Sequence, residues 1–173
     1  MTREGALIIV VAFAALLIAL GALAWRRRTR RDAGLSAPVG EIPAGAAATV
    51  TMPCWYVATT RHGEPLERLA IRGLAFRSRA DVTVTDRGVA LDLVGQPRMF
   101  LPTERIAGIE QATVAIDRVV ERDGLVRLSW TAETGEVVDS YLRPQDVSAR
   151  VLADALRTIP PTSSPSHASG SDA

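Results

Sequence analysis

Residues 5–25 (GALIIVVAFAALLIALGALAW) form an unbroken apolar run of 21 positions with no charge, amide or proline. At about 1.5 Å per residue, that length of helix is roughly 30 Å long and matches the hydrocarbon thickness of a bilayer. The pattern then changes abruptly. Arg26, Arg27, Arg28, Arg30 and Arg31 follow within six positions, broken by Thr29 and closed by Asp32. Residues 33–49 are rich in Ala, Gly and Pro and carry one charge, which predicts a flexible tether completing a 26–49 collar-and-tether segment.

From 50 to 159 the dominant period is two. Residues 54–60 read as a strand, 80–85 and 89–94 as a hairpin around Asp86-Arg87-Gly88, and 99–106 and 109–116 as weaker strands separated by Ala107-Gly108. Residues 118–121, 125–131 and 137–143 complete about seven strands, with turns at Asp123-Gly124 and at 133–136. The last element has a period of 3.6. Pro144 suits a first helical position, Asp146 the first turn, and Val147, Val151, Leu152, Ala155, Leu156 and Ile159 make one apolar stripe. Pro160-Pro161 ends it, and 160–173 is a Pro/Ser tail expected to be disordered. Short antiparallel strands followed by one amphipathic helix predict a strongly bent sheet or barrel with the helix closing an open end.

Charge fixes the direction of the membrane helix. The N-terminal side offers Arg3 and Glu4, whereas the C-terminal side carries five arginines, so the positive-inside rule places the N-terminus outside and the C-terminal domain in the cytoplasm. Trp25 sits at the boundary that an indole prefers. Ala22-Leu23-Ala24 resembles a signal-peptide cleavage site, but here the apolar run is too long and the charge follows it. Trp25 and the five collar arginines are therefore the topology residues of a single-pass membrane protein. Gly5, Ala14, Ala15, Ala19, Gly21 and Ala22 offer small side chains for a weak homodimer through the helix.

The 173 residues total 20 basic and 19 acidic side chains, a net charge of +1, which excludes a strongly basic nucleic-acid binder and a disordered acidic chain. Every basic residue is arginine, so lysine-dependent phosphate loops and Schiff bases are excluded. The single cysteine, Cys54, permits no internal disulfide and reads as a small buried hydrophobe.

Several stretches carry a resemblance: Trp55-Tyr56-Val57-Ala58-Thr59-Thr60, Gly63-Glu64-Pro65-Leu66-Glu67-Arg68, Gly73-Leu74-Ala75-Phe76-Arg77, Val119-Val120-Glu121 and Gly124-Leu125-Val126. Over roughly residues 1–159 the chain resembles a family of actinobacterial single-pass membrane proteins with a pleckstrin-homology-like (PH-like) cytoplasmic domain. Its members are described as export or membrane proteins and are neighbours of pyrimidine-biosynthesis genes. The resemblance implies a PH-like bent barrel of about seven antiparallel strands capped by a C-terminal helix, and it brings no catalytic or binding residues with it.

Candidate chemistry is sparse. His62 reads as a solvated turn residue and His167 lies in the tail, so neither supplies a placed base, and no metal or cofactor set is visible. Asp117, Glu121 and Asp123 read as solvated turn carboxylates. The sharper feature is basic. Arg68, Arg72, Arg77 and Arg79 crowd one segment, and Arg72, Arg77 and Arg79 have a basic-x(4)-basic-x-basic spacing that resembles the phosphate-collecting spacing of lipid-binding PH domains. These three are candidate anion or headgroup contacts. The expected function is a membrane-anchored, non-enzymatic interaction module with a protein or peptide partner; the alternatives are a lipid-headgroup or small-molecule sensor and an accessory subunit of an export or transport system.

Overall fold

The computed structural model describes residues 3–115, 118–119 and 124–159. Helix α1 (Arg3–Arg31) contains the apolar run and continues through the arginine collar without a break. Cationic side chains at a helix C-terminus complement its dipole, and the Thr29 hydroxyl donates back to the Trp25 carbonyl at 3.0 Å. Residues 7–24 are exposed and apolar on every side, and the helix is long and apolar enough to cross a membrane.

The domain is a seven-stranded antiparallel sheet built from β1 (Ala48–Arg61), β2 (Ser78–Thr85), β3 (Gly88–Leu93), β4 (Met99–Pro102), β5 (Ile106–Ala112), β8 (Leu125–Thr131) and β9 (Val137–Pro144), in the order β4-β3-β2-β1-β9-β8-β5. A short separate pair joins β6 (Val114–Ala115) to β7 (Arg118–Val119). Helix α2 (Ala149–Arg157) packs against β5, β8 and β9.

The bend in the sheet comes from one strand. β1 pairs with β2 from Ala48 to Tyr56 and with β9 from Cys54 to Arg61, so only three residues are shared between the two halves. A bulge between Tyr56 and Ala58 turns the strand there and increases its twist. Cys54 and Tyr56 both point into the core formed with Val82, Leu91, Leu128, Trp130, Leu142 and Leu152, and past the bulge the buried Ala58 stands opposite Tyr141 of a second, smaller cluster.

Five expectations shift. The predicted strand 99–106 divides after Pro102 into a 3-10 turn, Thr103–Arg105, which carries the chain from one edge of the sheet to the other. Ala107-Gly108 is not a break but a bulge within β5, opposite Ser129. Pro144 ends β9 instead of starting a helix, because it still pairs with Cys54 and the next amide donates to the Pro53 carbonyl. Ser148 caps α2, its Oγ accepting from the Val151 amide, and the buried face is Ala149, Leu152, Ala153 and Leu156, leaving Val147 and Val151 at 40% and 46% exposure.

Finally, residues 33–47 are not free. Leu35 is buried, Val39 bridges Met99, the Gly40 amide donates to the Arg98 carbonyl and the Phe100 amide to the Pro38 carbonyl. The segment lies along the outer edge of β4, which would otherwise be an open strand edge. The predicted tail (160–173), His167, Asp117, Glu121 and Asp123 lie outside the described residues.

Two buried polar clusters lie across β1, β8 and β9. Tyr56 Oη donates to the Leu74 carbonyl at 2.9 Å and shares a 2.8 Å hydrogen bond with Thr59, which is bonded to Ser140, the acceptor of the Trp130 indole. Beside it, the fully buried carboxylate of Asp139 accepts from Ser129 Oγ at 2.6 Å and the Gly63 amide at 3.1 Å, and lies 2.8 Å from His62 Nδ1. His62 is thus a half-exposed turn residue with a fixed partner. Burial pushes the Asp139 carboxyl up, but the bonds from Ser129, His62 and Gly63 outweigh it and hold it below the usual aspartate value.

Two predictions follow from these contacts. Gly88 has φ +148° and a Cβ there would stand 2.1 Å from the Leu101 carbonyl oxygen, whereas Gly135 has φ +83° and open space around it. Gly135→Ala should cost only backbone strain of about 1–2 kcal/mol. Gly88→Ala adds overpacking of roughly 1–3 kcal/mol, so it should show the lower melting temperature of the two in detergent-solubilised full chain; the reverse order would contradict the close approach. The second concerns acid. Because Asp139 titrates below its unfolded value near 3.8, its stabilisation is complete above that pH and is lost as pH falls through the folded value. Ser129→Ala removes a bond to the charged form, so its acid-unfolding midpoint should move to higher pH; a midpoint unchanged from that of the parent would refute the assignment.

Candidate functional site

The site assembles where α1 meets the long connection between β1 and β2. One residue after α1 ends, the Asp32 side chain is only 1% exposed and accepts from Arg31 Nε at 2.8 Å and from the Ala70 amide at 2.9 Å. Burial pushes its carboxyl up, but these two bonds and the nearby Arg28 charge hold it below the ordinary range. One turn earlier, Arg28 donates through Nε to the Arg68 carbonyl at 3.1 Å. Arg31 also meets Glu67 at 2.6 Å, and its own pKa is raised, chiefly by the hydrogen bond to Asp32. The helix is therefore docked onto the domain through its last turn.

This sorts the five collar arginines. Arg28 and Arg31 are committed to the domain, while Arg26, Arg27 and Arg30 have no carboxylate within 4 Å among the described residues. Trp25, half exposed, lines a small cavity of about 90 Å³ together with Arg28, Arg68, Leu69, Ala70, Ala75 and Phe76. A tryptophan in α1 and a phenylalanine fifty-one positions later thus line one cavity.

The connection after β1 is anchored from inside. Leu69, Ile71 and Leu74 are buried, and Arg68 turns inward, donating to the carbonyls of Val57 at 2.6 Å and Ala75 at 3.1 Å. Its role is to tie the loop to β1, and it is not part of the outer basic face. Outward from these anchors stand Arg72, Phe76 and Arg77, with Phe76 71% exposed. Arg72 and Arg77 line an open cavity of about 530 Å³ with Gly73, Phe76, Ser78, Val94 and Gln96, and no carboxylate is among its lining residues.

Arg77 and Arg79 both place their guanidinium groups over the Trp55 ring, at 4.9 and 5.3 Å from its centroid. Trp55 faces Arg79 across the β1–β2 ladder, which is why the indole becomes their common platform. Of the three candidate anion contacts, Arg72 and Arg77 share the cavity and Arg79 is joined to them through Trp55.

Sequence reasoning missed Asp32, Trp55 and Phe76. Asp32 had one available signal, a lone acid closing a run of five arginines; Trp55 and Phe76 had none, because their importance lies in long-range neighbours.

A second groove of about 490 Å³ runs between residues 33–39 and the turn preceding β4, lined by Leu35, Ala37, Val39, Pro97 and Met99 with Arg72 and Gln96 at its rim. Cys54 is buried and its thiol is pushed up to about 12 by burial, so it is neither a nucleophile nor a thiolate ligand. Among the described residues no three His, Cys, Asp or Glu side chains group as metal ligands.

No curated protein shows a match to the chain. A family model described as bacterial PH domain-like matches residues 36–156, a span that starts in the segment covering β4 and includes the whole bent sheet and nearly all of α2. With the matched region covering most of its length and the seven-stranded sheet closed by a C-terminal helix, the chain belongs to the bacterial PH domain-like family.

Proposed function

We propose that the chain is a single-pass, membrane-held and non-enzymatic interaction module, which presents its PH-like domain to the cytoplasm and gathers a protein or peptide partner at the inner leaflet. The observation that carries this reading is the docked junction at Asp32. Arg31 lies six residues beyond Trp25, about 9 Å along the helix axis, so the domain begins directly at the headgroup layer and keeps one orientation toward it. A partner bound there gains local concentration and pays less to be oriented. The five arginines that leave the span support the cytoplasmic side.

The chemistry of the interior supports binding over turnover. His62 is held by Asp139, and Ser129, the only hydroxyl bonded to that carboxylate among the described residues, donates its proton to it and is not placed as an activated nucleophile. PH-like architecture by itself hosts many roles, so the assignment rests on the junction.

In intact cells the domain should be protected from added protease and become sensitive only after permeabilisation; digestion from outside overturns the orientation. In-cell photocrosslinking of the full chain followed by mass spectrometry should recover a reproducible partner. Asp32→Ala, which frees the domain from the helix, should reduce that crosslink several-fold without removing the protein from the membrane. Recovery of the same proteins by the helix fused to an unrelated soluble domain would refute the recruiting role.

A further inference from the structure

We propose that residues 37–46 form a displaceable arch over the outer edge of β4, and that the partner is an extended peptide which takes the arch's place. The peptide pairs with the edge at residues 98–100, sets a large apolar side chain in the groove beside it and carries an acid for Arg98. The inference rests on the recruiting role proposed above, whose partner it narrows to one class, and the experiment below separates the failure of the two.

The arch is pinned at both ends and lightly held between them. Upstream, Asp32 is bonded to the Ala70 amide, Leu35 is buried and Ser36 Oγ donates to Glu133 at 3.0 Å. Downstream, the Ala47 amide donates to the Asp86 carboxylate and the Asp86 amide to the Ala47 carbonyl. Between these points, among the described residues, one bridge joins Val39 to Met99 through two backbone bonds: Gly40 amide to Arg98 carbonyl at 3.1 Å and Phe100 amide to Pro38 carbonyl at 2.9 Å. An exposed ion pair, Arg98 to Glu41 at 3.2 Å, is added to it. The Val39 amide turns back to the Ala37 carbonyl at 2.8 Å, a three-residue turn that bends the arch and ends the pairing there. So small a set of contacts contributes little net stability, and both anchors survive its loss.

The arch also fills its groove poorly. The space of about 490 Å³ beside it is lined by Leu35, Ala37, Val39, Pro97 and Met99, but the arch offers only a methyl group at 37, and Val39 is 66% exposed. A peptide with a bulky apolar residue in register with Ala37 removes more apolar surface from water than the arch does. The edge itself takes a second segment by the backbone bonds that it already makes to the first. The opposite edge of the sheet is guarded against such pairing: β5 is bulged between Ile106 and Gly108, and Arg157 donates to the Ile109 carbonyl at 3.3 Å.

Charge narrows the peptide further. No carboxylate lines the groove, and Arg72 and Gln96 stand at its rim. When Glu41 leaves with the arch, Arg98 keeps the two oxygens of Asp92 at 2.7 and 3.0 Å, and its third nitrogen is freed for an acid of the incoming chain. The groove starts at Ala33, the residue after Asp32, so the bound peptide lies directly beside the end of α1.

The test uses the full chain in detergent and, as probe, a fluorescent synthetic peptide that copies residues 33–47 with Ala37→Phe, read by anisotropy against a scrambled peptide. Apparent affinity scales with the fraction of chains whose edge is open. Glu41→Ala in the chain removes one exposed pair and should tighten binding roughly two- to fivefold. Gly40→Pro removes one backbone bond and should tighten it roughly three- to tenfold. Val39→Cys with Met99→Cys places a disulfide on a non-hydrogen-bonded pair, where Cα atoms approach most closely. Oxidation of this chain should abolish binding, and reduction should restore it.

Binding of the probe to the oxidised chain as strong as to the parent overturns the arch. So does equal binding of the scrambled peptide, or affinity unmoved by Glu41→Ala, a surface change whose result stands even where the cysteine pair fails to fold. In cells, a photoreactive residue in place of Gln96 should crosslink a partner, more strongly with Glu41→Ala. Partner crosslinks from other faces of the domain with none from position 96 overturn the docking edge and leave the recruiting role intact. Absence of a reproducible partner from every position overturns both.

Discussion

The carboxylate of Asp32 lies out of water at the point where the long apolar helix meets a folded domain, and a charge so placed must be satisfied on the spot. It is satisfied by one group from each side: the Arg31 guanidinium from the helix and the Ala70 amide from the domain. Removing either bond would leave the buried charge under-satisfied, so the two contacts tie helix end and domain surface together. The same constraint explains why α1 does not stop at Trp25. Six further residues of helix are needed to bring Arg28 and Arg31 over residues 67–70.

That junction grips the β1–β2 connection, and β1 is the strand on which the rest of the domain turns. Its first part belongs to one half of the sheet and its second part to the other, with the bulge after Tyr56 as the corner. The hydroxyl network of Tyr56, Thr59 and Ser140 sits at this corner and reaches the Leu74 carbonyl. A continuous set of bonds therefore runs from the collar, through the connection, into the centre of the core. Phe76 and the arginines around it hang from the outside of this framework, which accounts for their fixed position despite their exposure.

The elements that were legible in the sequence are those whose signals are local. The hairpin of β2 and β3 announces itself by alternation on both sides of Asp86-Arg87-Gly88, and β8 and β9 by alternation around a glycine turn at 135. Helix α1, long and apolar enough to cross a membrane, is legible from apolar length alone. Residues 33–47 misled because their composition is that of a linker: a segment that bonds to β4 through a few backbone groups needs no strand-like side chains to do so. Pro144 misled because proline is equally at home at a helix start and at the last position of a strand, and only the register with Cys54 decides. The basic cluster at 68–79 could be seen but not sorted. Arg68 faces inward and Arg72 outward for reasons that lie in Val57, Ala75 and the buried leucines, not in the spacing of the arginines.

The strip of residues 33–47 laid along β4 makes anchor and domain inseparable in another sense. Pro38 and Gly40 occupy backbone groups on the outer edge of the sheet, and Leu35 fills part of the core. Proteolytic release of the domain from the helix by a cut near Thr49 would not yield an intact soluble protein. It would bare a strand edge and an apolar slot at the same moment, turning a shed domain into a self-associating one and making the attached strip a safeguard of solubility.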